Sequence, residues 1–129
     1  MPIETVPTPY GYRCVLKDPI SLEERRLWLE QIKAHADRPG FYGQLIDIRE
    51  TVPDPAEAPQ IAEGMAYVRS HGLRRSAVVV SSAKTALTIK QLAWQSGVLE
   101  WERYFDASQD PDWEQHAEGW IMQRIDPEH

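Results

Sequence analysis

At 129 residues and 14.8 kDa, with 42% hydrophobic and 26% charged residues, the chain has the dimensions of one domain with its own core. A net charge of -6, from 20 acids against 14 bases, argues against a protein whose main task is gripping phosphate backbones. The single cysteine, Cys14, excludes an internal disulfide and suits the cytoplasm, the expected compartment. No run approaches the roughly eighteen apolar residues of a membrane span, and Met1 to Pro7 shows neither a basic nor an apolar leader segment.

The first clear element is a strand over Tyr12 to Lys17, with Tyr12, Cys14 and Leu16 on one face by period-two alternation. Thr5 to Tyr10 can pair with it, but Pro7 and Pro9 would confine that segment to an edge. Ser21-Leu22-Glu23-Glu24 is a capping box, in which Ser21 and Glu24 each satisfy the other's amide. The helix it opens runs to about Ala36, with Trp28, Leu29, Ile32 and Ala36 at helical spacing. Leu45 to Ile48 reads as a buried strand with Asp47 near its C-terminal end. A second helix spans about Glu57 to Ser70, with Pro59 tolerated in its first turn and Gly72 placed as the left-handed residue that ends it.

Ala77 to Val80 is apolar without alternation, which predicts a strand buried on both faces. A helix follows from about Lys84 to Gln95, with Ala86, Ile89, Leu92 and Ala93 inward. Arg103 to Phe105 is a short last strand, and Asp110-Pro111 opens a final helix with Asp110 as its N-cap. In that helix Trp113, Ala117, Trp120 and Ile121 recur at helical spacing. The alternation predicts an α/β fold, a single domain with a mostly parallel sheet of four to five strands and about four helices. Residues 10–125 form its expected core, and residues 1–9 an edge strand or extended N-terminus.

The strand-to-helix turns at Arg49 to Pro55 and Ser81 to Thr85 contain no glycine, so the phosphate-cradling fingerprint is absent. Ser81 and Ser82 sit where a nucleophile elbow would, but their neighbours are Val80 and Ala83 rather than glycines, which disfavours a hydrolase. Cys14, mid-strand, reads as a small buried hydrophobe. Asp112 and His116 share a helix face, but two groups do not make a metal site. Asp47 is the most informative acid. A carboxylate in an apolar strand must be paired or reach water, so Asp47 either caps a loop or salt-bridges locally, or joins Arg49, Glu50, Ser81 and Ser82 at the strand ends, where open parallel sheets place function. Of the five tryptophans, Trp28, Trp113 and Trp120 fit inner stripes, whereas Trp94 and Trp101 do not, and either pack against the end of the domain, the favoured reading, or serve as interface anchors.

Gly43 to Arg49 resembles the central strand, ending in an acid, of the SpoIIAA-like (STAS, STAS/SEC14-like) bacterial domains. Leu73 to Val80, the helix closing in Gln95 to Val98, and Glu102 to Asp106 resemble that family's later units. The resemblance covers roughly residues 10–125. It implies a regulatory protein-interaction module. Regulatory members carry a phosphorylatable serine in a turn after the central strand. The matching stretch here, Glu50 to Ala56, has neither serine nor glycine, and the site is not transferred to Ser81 or Ser82.

The expected function is therefore a non-enzymatic regulatory or interaction domain with a protein partner, open to homodimerisation, without cofactor, metal or nucleic acid. Its candidate contacts are Asp47, Arg49, Glu50, Ser81, Ser82, Trp94 and Trp101. The alternative is a small-molecule or lipid-binding domain with a pocket at the strand C-terminal ends.

Overall fold

A computed structural model describes residues 3–37, 42–51, 58–96 and 100–122. In chain order the elements are β1 (Ile3–Thr8), β2 (Gly11–Lys17), α1 (Leu22–Ala36), β3 (Tyr42–Glu50), α2 (Ala58–Ser70), β4 (Leu73–Val80), α3 (Ala83–Ser96), β5 (Glu102–Asp106) and α4 (Trp113–Ile121). The local signals act as expected at most boundaries. Ser21 and Glu24 form the reciprocal capping box of α1, Pro59 lies in the first turn of α2, and Gly72 carries the positive φ of 106° that turns the chain into β4. The turn from Thr51 to Pro55 lies outside the described residues after Thr51.

The last helix departs from expectation. It begins at Trp113, not at Pro111, with Asp112 in the cap position and without a side-chain cap bond. Asp110 instead closes a preceding turn. Its carbonyl accepts from the Trp113 amide at 3.2 Å and its carboxylate from the Asp112 amide at 3.0 Å, the local competition that makes Asp a turn former.

The five strands lie in the order β1-β2-β3-β4-β5. β1 is antiparallel to β2, and β2 through β5 are mutually parallel. Pro7 sits on β1 at the sheet edge, where a missing amide donor is tolerated. Each crossover advances the sheet by one strand in the same direction, and right-handed crossovers of this kind keep their helices on one side. The core is accordingly split in two. Tyr12, Cys14, Leu16, Ile46, Ile48, Val78 and Val80 pack with Ile32, Ala36, Val68 and Ala93 of α1, α2 and α3. Leu45, Ala77, Val79 and Phe105 pack with Ala117, Trp120 and Ile121 of α4. Ala77 to Val80 is buried throughout, as its unalternating apolar run requires.

Gly43 lets α4 close on its face of the sheet, and Gly11 lets the start of β2 approach the β3 backbone. A Cβ at Gly43 would stand 2.3 Å from Ile121 Cγ2, and one at Gly11 would stand 2.0 Å from the Gly43 carbonyl oxygen. A Cβ at Gly119, by contrast, meets nothing within 4 Å. Gly43→Ala is therefore expected to cost about 1–3 kcal/mol by overpacking, whereas Gly119→Ala gains up to about 1 kcal/mol from helix propensity. Urea denaturation of the two variants measures both; equal effects would contradict this packing.

Candidate functional site

On β3 the side chains alternate between the two cores, and Asp47 and Arg49 fall on the α4 side with Leu45. Asp47 is 3% exposed and bound by Arg49 in a fork: Arg49 Nε donates to Oδ1 at 3.0 Å and Nη2 to Oδ2 at 2.8 Å. The Arg49 amide adds a third donor at 3.1 Å. The carboxylate in turn holds the Arg49 guanidinium above its ordinary pKa. That guanidinium lies 4.5 Å from the centroid of the Trp113 ring on α4, a cation–π contact that ties the helix to the strand. The local salt bridge is thus the arrangement found at Asp47. Glu50, exposed, pairs with Lys17 at 3.4 Å.

Ser81 and Ser82 have structural partners. The Ser81 hydroxyl donates to the Arg49 carbonyl at 3.1 Å, joining the ends of β3 and β4. Ser82 Oγ accepts from the Thr85 amide at 3.1 Å and donates to Thr85 Oγ1 at 2.9 Å, capping the first turn of α3. The strand order shows no reversal, so the crevice that gathers ligands at a switch point does not arise at this sheet edge. Cys14 is buried, between Thr5 and the Trp28 indole, and burial pushes its thiol up. His116 pairs with Asp110 at 2.6 Å rather than with Asp112. Among the described residues no group of three or more His, Cys, Asp or Glu could hold a metal.

The two tryptophans set aside as anchors differ. Trp101 is 6% exposed and packed in the core under the Arg69 guanidinium, 5.5 Å from its ring centroid, so it offers little surface to a partner. Trp94 is 75% exposed. One α-helical ridge away, Leu87 is 60% exposed. Position 87 precedes 94 by seven residues, about two turns, so the two side chains occupy one outward stripe of α3.

A polar row across the first core was not anticipated. Tyr12, Gln44, Ser76 and Glu102 stand directly opposite one another on β2, β3, β4 and β5, and all four are buried. The Tyr12 hydroxyl donates to Gln44 Oε1, and Gln44 Nε2 donates to Ser76 Oγ at 2.9 Å. Ser76 stands opposite Glu102, whose carboxyl accepts from the Tyr104 hydroxyl at 2.7 Å. The donors run in one direction, from Tyr12 through Gln44 to Ser76, which faces the Glu102 carboxyl. Burial raises the pKa of that carboxyl, against the lowering effect of Tyr104 and Ser76. His35 closes the other end, its ring 5.2 Å from that of Tyr12.

A groove of about 540 Å³ opens beside this end of the row, lined by Ile3, Glu4 and Thr5 of β1 and Gln31 and His35 of α1. It lies at the β1 edge, away from the strand ends at Asp47, Arg49 and Ser81 where a pocket was expected. No helix among the described residues is long and apolar enough to cross a membrane. No family model, curated protein or solved structure matches the chain.

Two outcomes test this geometry. Arg49→Leu leaves the Asp47 carboxylate buried without its fork and should cost about 1–3 kcal/mol, read as a lower urea midpoint. Glu102 has a folded-state pKa raised above its ordinary 4.5, so its contribution is complete below that value and is lost as pH climbs through the raised one. Glu102→Gln should flatten that alkaline-going decline in thermal midpoint; an unchanged slope would show that Glu102 is not its source.

Proposed function

We propose that this chain is a non-enzymatic interaction module of SpoIIAA-like (STAS-like) type that lacks the family's phosphorylatable serine and acts by contacting a protein partner. The observation that carries the reading is the outward stripe of α3, where Leu87 and Trp94 stay in water on a helix whose opposite side packs against the core. Tryptophan is among the residues most enriched at the energetic centre of protein interfaces. The mostly parallel sheet wound in one direction is compatible with the resemblance over residues 10–125. The hydroxyl beside a base that a hydrolase needs finds no support at Ser81 and Ser82, whose hydroxyls serve a strand junction and a helix cap.

A second reading, a small-molecule or lipid-binding domain, is favoured by the groove at Ile3, Glu4, Thr5, Gln31 and His35. The two separate cleanly. In crosslinked affinity capture, the interaction reading expects a defined partner whose recovery falls about tenfold or more in Leu87→Ala, Trp94→Ala. The same recovery from wild type and variant would defeat it. The groove reading expects native mass spectrometry to show a retained mass that Gln31→Trp displaces, and a bare protein mass would count against it.

A further inference from the structure

The chemistry of the partner can be read from the charges around that stripe, and the inference rests on the interaction reading above. Between Ser81 and Val98 the sequence contains no acid, in a chain with 20 of them. Lys84 and Lys90 flank Leu87 on the exposed side of α3, with Gln91 and Trp94 completing the stripe. The spacings Lys84 to Leu87, Leu87 to Lys90 and Lys90 to Trp94 are three, three and four residues, so each side chain adjoins the next. Neither lysine ammonium makes a salt bridge or a ring contact among the described residues. Other cations do pair with acids, among them Arg13 with Glu114 at 2.8 Å, Lys17 with Glu50 at 3.4 Å, Arg26 with Glu23 at 2.6 Å and Lys33 with Glu63 at 3.6 Å.

We propose that the Lys84–Leu87–Lys90–Trp94 face of α3 docks an acidic amphipathic helix of another protein. The partner's apolar stripe covers Leu87 and Trp94, at a helix-to-helix separation of about 8–10 Å. Its flanking carboxylates pair with Lys84 and Lys90, which supply orientation and exclude basic competitors. A second copy fits less well. It would bring two acid-free, lysine-bearing helices together, and the like charges would oppose one another. Nucleic acid would meet the same lysines and tryptophan, but on a chain of net charge -6, which repels a polyanion at long range.

The probes are two synthetic helical peptides of roughly three heptads, sharing a leucine stripe and carrying either Glu or Lys at all flanking positions, together with oligothymidylate. Binding to the full chain is read by titration calorimetry. The acidic peptide is expected to bind, and to weaken about tenfold as ionic strength rises from roughly 0.05 to 0.5 M. Trp94→Ala should weaken it about tenfold. The exposed double variant Lys84→Glu, Lys90→Glu, with an unchanged circular dichroism spectrum, should reject the acidic peptide and accept the basic one.

Equal binding of the two peptides by the wild type, indifference to the double charge reversal, or tighter binding of oligothymidylate would each overturn the assignment. So would a concentration-dependent dimer abolished by Trp94→Ala, which gives the face to a second copy. Failure of both peptides, with partner capture still dependent on Trp94, defeats the acidic helix while the interaction reading stands. Capture indifferent to Trp94 defeats that reading itself.

Discussion

Polar side chains sealed in an apolar core must find one another, and between the parallel strands of the first core, among the described residues, Tyr12, Gln44, Ser76 and Glu102 meet that requirement in one row. Tyr12, Gln44, Ser76 and Glu102 have no water to turn to, so each strand must present its polar residue opposite the next. A one-residue slip would turn a polar side chain to the α4 face and strand its partners in the first core. The row therefore ties register to hydrogen bonding along the whole parallel part of the sheet. Its one-way chain of donors, each polarising the next, runs to Ser76, which faces a carboxyl whose pKa burial raises. A neutral acid is the cheaper occupant of that position, because an ionised one would need a countercharge.

The opposite face is held by different chemistry. Three helices occupy one side because every crossover moves the same way, and among the described elements α4 is the helix that covers the other. Its two tryptophans, seven residues apart, lie against arginines from four strands. Trp113 contacts Arg13 and Arg49 at 5.7 and 4.5 Å, and Trp120 contacts Arg75 and Arg103 at 3.9 and 4.4 Å. The Trp120 indole also donates to the Ser76 carbonyl at 2.9 Å, which satisfies its polar edge. Long cationic side chains thus lie over indole rings at the margin of a small apolar core, where stems can be buried while heads keep polar partners. Asp47 belongs to this arrangement. Its burial is compatible with charge because Arg49 grips both carboxylate oxygens.

These two internal uses of polarity sharpen the meaning of the outer surface. Asp47, Arg49, Ser81 and Ser82 all contribute bonds that assemble the sheet, its edge or a helix start. The α3 stripe is different in kind, since Leu87 and Trp94 leave apolar surface in water and contribute no packing there. Apolar exposure of that sort gains free energy only when something else covers it. This contrast, rather than the count of tryptophans, is what distinguishes Trp94 from Trp101.

Local chemistry was legible from the residues themselves. The Ser21 and Glu24 box, the Gly72 turn, the edge role of the proline-bearing first segment and the double burial of Ala77 to Val80 depend on neighbours in sequence, so short patterns determine them. The α/β alternation followed from the same signals. What the strands do to one another was not legible. Each of Tyr12, Gln44, Ser76 and Glu102 lies two residues before an in-phase apolar or aromatic neighbour, yet only tertiary pairing sets them in line. Glu102, moreover, precedes the stretch that reads as strand. Trp101 is buried and Leu87 exposed for the same reason: which side of an element faces the core is decided by the elements packed on it. Sequence by itself determined which segments become helices and strands, and in what order, and what several of their ends can satisfy locally. The tertiary structure alone decided strand register, the fate of each charge and the face left uncovered, because those depend on contacts between residues far apart along the chain.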